Sequence, residues 1–332
     1  MGRRWRKDRG AALITVLAML SIMSMLAVVA MDSALMGVRR TQNQAQLGQA
    51  RWYLTGAEAF AAGRLKDIQP SDIEKRVDAS EWQGKTFNFP LDEGAMTITL
   101  FDGSNCFNLN SLVSADENGI PTVNAVAQVR FAQLLDLANV RSENTTRLAA
   151  SVVDWIDPDQ TPGPGGAEDE SYGGPEAPYR VANTLMADLA ELTRVRGFTP
   201  KVMEAILPYV CVRPTEAVNL LNPNTLTPDQ AILLAIMVGP QMSLQAAEAI
   251  IRSRPRGGWP SVAAFLSQSG MAQVELSEAT RAAFDVKSNY FVAVMSVQYR
   301  DTQETGAVLL SAGNPARVLR RVYGAGGRER LL

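Results

Sequence analysis

The residues of this chain best equipped for chemistry lie in one stretch, DWIDPDQTPGPGGAEDESYGGPEAPYR. Between Asp154 and Tyr179 it carries seven acids, Asp154, Asp157, Asp159, Glu168, Asp169, Glu170 and Glu176, and no Lys or Arg. Five Gly and five Pro in the same span make it a turning loop, and without compensation its carboxylates repel one another. Hard oxygen ligands on a turning backbone suit Ca²⁺, which takes roughly six to eight of them. The EF-hand pattern is absent, because Thr161 stands at the next alternate position after Asp157 and Asp159. A merely solvated acidic loop is the plain alternative.

A second use of the same acids is carboxylate-dependent hydrolysis, with Asp154, Asp157 and Glu168 as its acid and base; that needs a concave pocket and a raised pKa. The chain has no His, which removes the commonest general base and transition-metal ligand and excludes Ser/His/Asp and Cys/His catalysis. Its only cysteines are Cys106 and Cys211. In an exported domain an even pair is compatible with a disulfide closing a loop of about 100 residues; two buried thiols are the other reading.

Two further segments, ELTRVRGFTPKVMEAILPYV and LLAIMVGPQMSLQAAEAIIRSR, each read as helix, Gly-containing turn, helix. Such helix-hairpin-helix units can hold nucleic-acid phosphates on helix-start N–H groups, and Arg252, Arg254 and Arg256 stand near the second. The net charge of −2 and the lack of a broad basic face argue for compact helix packing instead, with no nucleic acid expected.

These segments must be positioned by something. Residues 11–31, AALITVLAMLSIMSMLAVVAM, contain no charge, Gly or Pro, and about 20 apolar residues cross a bilayer core as a helix. Arg3, Arg4, Arg6, Lys7 and Arg9 precede them against Asp8 alone, which favours a cytoplasmic N-terminus. A secretory signal cut after Ala30 is the alternative. Its apolar core would be unusually long, and the chain continues without Pro to Lys66, so one helix over residues 11–66 is expected, about 80 Å long. Met96, Ile98 and Leu100 alternate as in a strand, as do Phe291, Ala293, Met295, Val297 and Tyr299, with GAVLLSA and ARVLRRVYG following at hairpin spacing. Between them helical runs dominate. With 46% hydrophobic and 20% charged residues, the roughly 265 residues beyond the helix suffice for one or two domains. The expected architecture is α+β, with a helical block inserted into a small antiparallel sheet covered by the long helix.

A basic leader ending in Gly10 and an apolar helix opening AALITVLAML resemble the type III signal of type IV pilins and pseudopilins. FNLNSL, VVDWIDPD, PGGAEDESY, PYRVANTLMADLAELTRVRGFTP and NLLNPNT resemble, in order, the GspK family, the large minor pseudopilins of the type II secretion system. The resemblance implies a pilin-like fold with an inserted all-α domain carrying the helix-hairpin-helix-like units. It divides the chain into a cleaved leader (1–10), a transmembrane and assembly helix (11–66), the first part of the pilin-like domain (67–110), the inserted domain (111–285) and C-terminal strands (286–332). It implies prepilin-peptidase cleavage between Gly10 and Ala11, with methylation of the new amine, and an inner-membrane anchor with a periplasmic domain. Pilin-like chains usually carry Glu at the fifth mature position; here Thr15 stands there, as is usual in this family, and a subunit without that charge need not find a partner amine in lipid. The family caps the pseudopilus with minor pseudopilins of the GspI and GspJ types, and its members bind two calcium ions in the inserted domain. Asp157, Asp159, Glu168, Asp169 and Glu176 are accordingly the expected calcium ligands, and a non-enzymatic structural role is the expected function. A membrane-tethered nucleic-acid-binding protein of DNA uptake is the alternative.

Overall fold

The computed structural model describes residues 8–68, 78–117, 119–141, 143–174, 179–218, 220–313, 315–328 and 331. Helix α1 (Asp8–Ile68) runs for 61 residues, about 90 Å, beginning inside the basic leader and ending two residues beyond Lys66. Its apolar side chains from Leu13 to Val38 are exposed, and burial begins at Ala50. Ala50, Leu54, Ala57, Ala61, Leu65 and Ile68 recur at helical spacing on one face and are nearly inaccessible. The three alanines let the helix approach the sheet closely.

Helix α2 (Ala79–Trp82) is capped by Asp78, whose carboxylate accepts from Ser80 N, and it buries Trp82 against Phe291 with ring centroids 5.4 Å apart. Strands β1 (Thr86–Leu91) and β2 (Gly94–Asp102) form an antiparallel hairpin. At Gly94 a Cβ would stand 1.9 Å from the Gln298 carbonyl oxygen, so only glycine fits this edge of the sheet.

The chain leaves the sheet after Asp102 and returns opposite it, since Asp102 pairs with Phe291. Residues 103–289 are therefore an elaborated connection between two neighbouring strands. The block begins with β3 (Phe107–Asn108) and the hairpin of β4 (Val113–Ala115) and β5 (Pro121–Val123). Helices α3 (Ala125–Leu137), α4 (Thr145–Ile156), α5 (Asp169–Tyr172) and α6 (Pro200–Ile206) follow. Strand β6 (Val210–Cys211) pairs in parallel with β3. Helices α7 (Ala231–Val238), α8 (Leu244–Arg252), α9 (Val262–Ser267) and α10 (Glu278–Ala282) complete it. Side-chain caps by Asn124, Asn144, Thr199, Ser243, Ser261 and Ser277 satisfy helix-start N–H groups, so short helices start cleanly where the sequence changes texture. Their apolar faces converge on one core around Phe131, Leu134, Leu148, Val152, Ile206, Leu234 and Phe265. Phe107 and Leu109, grouped with the sheet by a boundary at residue 110, pack in this helical core. The block thus starts earlier in the chain than expected, directly after β2.

Strands β7 (Tyr290–Tyr299), β8 (Thr302–Ser311) and β9 (Arg317–Tyr323) finish a five-stranded sheet of order β1-β2-β7-β8-β9. Phe291, Ala293, Met295 and Val297 face α1, while Val292 turns to the other side with Ala307, Leu309, Val322 and Leu331. The fold is α+β, as expected: a long helix on an antiparallel sheet with a large helical insertion.

The junction between sheet and block is polar and buried. Asp102 accepts from Ser104 N at 2.6 Å, from Ser288 Oγ at 2.6 Å and from Thr225 Oγ1. Asn105 Nδ2 donates to the Asn222 carbonyl and to Thr225. Arg213, 1% exposed, donates to the carbonyls of Gly103, Leu331 and Val212 and lies over the Tyr290 ring at 5.1 Å. Burial holds its guanidinium down at about 10 and pushes the Asp102 carboxyl up. Beside this junction a disulfide joins Cys106 to Cys211, with Cα atoms 5.7 Å apart, fastening β3 to β6.

Candidate metal centre

Helix α4 delivers the first acids. It is amphipathic, and Asp154 and Asp157 emerge at its C-terminal end, 1% and 3% exposed. The Gly- and Pro-rich stretch then turns back on itself. Gly166 N donates to the Gly163 carbonyl, and Gly163 N donates to Asp154 Oδ1 at 3.1 Å. A Cβ on Gly166 would stand 1.9 Å from Asp154 Oδ2, so glycine is what lets the loop close over the carboxylate. The return brings Glu168, 4% exposed, under the loop. One carboxylate oxygen from each of Asp157, Asp159 and Glu168 lies within 4.8 Å of the others.

Three acids so close, two of them buried, are electrostatically unfavourable unless protonated or compensated. Desolvation, and then Asp159 and Asp154, push the Asp157 carboxyl up to about 7. Desolvation, and then Asp154, Asp157, Asp159 and Asp169, push Glu168 to about 7 as well. Asp154 is also raised, chiefly by burial, against the opposing hydrogen bonds from Gly163 and Ala167. Buried oxygens here lack hydrogen-bond partners: Asp154 Oδ2, Asp157 Oδ1, both oxygens of Glu168 and Asn183 Oδ1. Buried polar atoms are nearly always satisfied, and a cluster of orphaned, acceptor-only oxygens is what a hard divalent cation fits. The donor set therefore fits calcium.

Sequence reasoning and structure divide over the individual ligands. Asp157, Asp159 and Glu168 come together. Asp169 does not join that group: its Oδ1 accepts from Val181 N at 3.0 Å, and its Oδ2 lies 3.8 Å from Arg180. Glu176 lies outside the described residues. Asp154, named only for hydrolysis, presents an orphaned oxygen, and so does Asn183, which no sequence signal singled out. Asn183 sits at φ 46°, and its Nδ2 donates to the Asp159 carbonyl at 3.0 Å, which ties a distant loop to the acidic turn. For hydrolysis the surroundings are poor. A cleft of about 600 Å³ lies elsewhere, between Asp78–Gln83 and Arg254–Pro260, and the acids do not line it.

The remaining candidates are dispersed. Gly10 and Ala11 lie in the first turns of α1, and Thr15 Oγ1 donates back to the Ala12 carbonyl at 2.9 Å, leaving no charge to satisfy. Of the three arginines near the second hairpin unit, Arg252 pairs with Glu248. Arg254 donates to the carbonyls of Pro223 and Leu226. Arg256 is exposed. In this second unit α7 and α8 are joined across Gly239 at φ 97° and bury Ile236, Ala247 and Ile250 together.

Comparison with known proteins agrees with this arrangement. Residues 105–215 and 221–287 match two family profiles, both described as type II secretion system (T2SS), protein K. These ranges coincide with the inserted block. The chain is 32% identical to type II secretion system protein K of Pectobacterium carotovorum subsp. carotovorum, over 96% of this chain and 97% of that one. It is 32% identical to the Klebsiella pneumoniae protein of the same name, again over 96% and 97%. Among solved structures it superposes with TM-score 0.73 and 28% identity on a chain in the crystal structure of the GspK-GspI-GspJ complex from enterotoxigenic Escherichia coli, covering 86% of this chain and 100% of that one. With its long helix, antiparallel sheet and helical insertion, the chain belongs to the protein K family of the type II secretion system, the minor pseudopilins of protein secretion.

Proposed function

We propose that this chain is the terminal subunit of the pseudopilus, assembling with minor pseudopilins of the GspI and GspJ types and initiating the filament for export across the outer membrane. The observation that carries this is where the block leaves the sheet. The sheet meets α1 nearest the apolar span at Gln46, which bonds to Thr302, and β2 runs from that end, where Gly94 pairs with Tyr299, to Asp102 at the far end. Residues 103–289 thus stand beyond the end of α1, with Asp78 accepting from Gly257 N across the gap. A pilin-like subunit stacked further along the helix would meet this mass, whereas subunits beneath it would not. The role is structural, without catalysis. The precursor is anchored in the inner membrane by α1, and prepilin peptidase cuts between Gly10 and Ala11 and methylates the new amine.

Calcium is part of the same reading. Asp157, Asp159 and Glu168 hold it, with Asp154 and Asn183 supplying or orienting further oxygens. When bound, the ion supplies positive charge to a buried acidic pocket and pins the loop to α4.

The test is labelling of this chain on isolated pseudopili, viewed by electron microscopy. Label at one end supports the proposal, and label distributed along the filament overturns it.

A further inference from the structure

Between the apolar span and the first helix residue covered by the sheet, α1 carries only three charges, Asp32, Arg39 and Arg40. The arginines are exposed, and among the described residues neither makes an ion pair. Arg39 lies about three turns before Ala50, in angular register with Ala50, Ala57 and Ala61. Arg39 thus lies on the side of the helix over which, higher up, the sheet hangs, and Arg40 stands about 100° around the helix from it. The sheet's end nearest them is acidic. Glu93 and Arg300 pair at 2.7 Å, leaving exposed Asp92 and Asp301 in the two adjacent turns. This end would be repelled by an anionic surface, so the two arginines are the cationic groups available between it and the span.

The helix places them at a definite depth. At about 1.5 Å per residue, residues 11–31 cover about 31 Å, which matches a hydrocarbon core of about 30 Å. The arginines then stand about 12 Å past its edge, and their long side chains reach back into the headgroup layer. The exposed apolar residues Leu35, Met36 and Val38 fill the interval.

We propose that Arg39 and Arg40 form a clamp for lipid phosphates in the outer leaflet of the membrane that anchors the chain. The ligand class is an anionic phospholipid headgroup. The clamp sets the resting depth of α1 and opposes an upward slide of the subunit until assembly removes it from the bilayer. This rests on the reading of residues 11–31 as a membrane span.

The test uses the full chain in bilayers of phosphatidylcholine and phosphatidylglycerol, with each lipid spin-labelled in turn. The readout is the preference of the motionally restricted lipid shell for the anionic lipid. The expected contribution is about fivefold per arginine, so the R39Q/R40Q variant should lose on the order of tenfold or more in selectivity. The preference due to the basic N-terminal residues remains in both proteins. Equal selectivity in the two proteins overturns the clamp. So does loss of selectivity when inorganic phosphate replaces chloride at constant ionic strength, since that identifies a free-anion site. Absence of any restricted lipid shell in either protein removes the span, and the clamp with it.

Discussion

Substituting Glu168 by Gln removes one charge from the acidic pocket while keeping its volume, and its effect on stability should reverse sign with calcium. With calcium in the proposed site at about 100 times its dissociation constant, the wild-type fold should gain about 2.7 kcal/mol. At about 2–4 °C per kcal/mol for a domain of this size, that is a rise of about 5–10 °C in Tm. The variant loses a ligand and most of this rise. In excess chelator at pH 8 the order inverts. Both Asp157 and Glu168 have folded-state pKa values of about 7, above their unfolded values. The folded state therefore binds more protons between about pH 4 and 7, and metal-free stability falls as pH rises through that window. Glu168→Gln removes one of these contributions, so in chelator at pH 8 the variant should melt above wild type.

The same groups fix the pH dependence of the metal effect. Calcium needs both carboxylates ionised. At pH 5.5, with both groups near 7, displacing two protons weakens apparent affinity about a thousandfold, and the calcium-induced rise in Tm should shrink to less than about 1 °C. Thermal melts of the folded region at pH 5.5 and 8, with calcium or chelator, give all the required comparisons. A wild-type Tm unmoved by chelator at pH 8, or an equal calcium-induced rise in the variant, would refute the reasoning.

Cys106→Ser with Cys211→Ser opens a link of sequence separation 105 and should cost about 2–5 kcal/mol, read by urea unfolding against wild type. Gly94→Ala forces a Cβ against the Gln298 carbonyl. It should lower stability by about 1–3 kcal/mol, and a melt unchanged within error would contradict the register of β2 on β7. Arg213→Met leaves the carbonyls of Gly103 and Leu331 without their donor and should cost about 1–3 kcal/mol in the same assay. Trp52, 73% exposed on the side of α1 away from the sheet, should be replaceable by Ala without loss of Tm, while binding to GspI- and GspJ-type partners weakens about tenfold or more; unchanged binding in a titration would remove this face from the interface.

Much of this architecture was legible because its signals are repetitive. The apolar run of residues 11–31, the alternation at Met96, Ile98 and Leu100, and the switch to helical spacing after them each repeat one simple cue. The acidic loop announced itself by composition, but its chemistry depends on how a helix end meets a turn. Asp154 looked like one more loop acid, yet it is held at the end of α4 beneath Gly166. Asp169 looked equivalent to Glu168, yet its carboxylate is occupied by Val181 N. Asn183 carries no charge and reaches the site only through the chain's return, so neither spacing nor composition could mark it. Arg213 is the extreme case, since a buried arginine satisfied by carbonyls from residues 103 and 331 leaves no local trace in the sequence.

The adjacency of β2 and β7 bears on the order in which the chain can fold. Asp102 and Phe291 stand opposite each other on neighbouring strands, yet the partner of β2 is made only after the whole block. Closing so long a flexible loop costs about 4–5 kcal/mol of chain entropy. A block that condenses first around its own core, fastened by its own cystine, presents its two ends side by side and removes most of that cost. The insertion then acts as a template for the sheet: the half-built β1–β2 hairpin waits with an open edge, and completion of the pilin-like domain becomes a late step, gated by maturation of the helical domain beyond it.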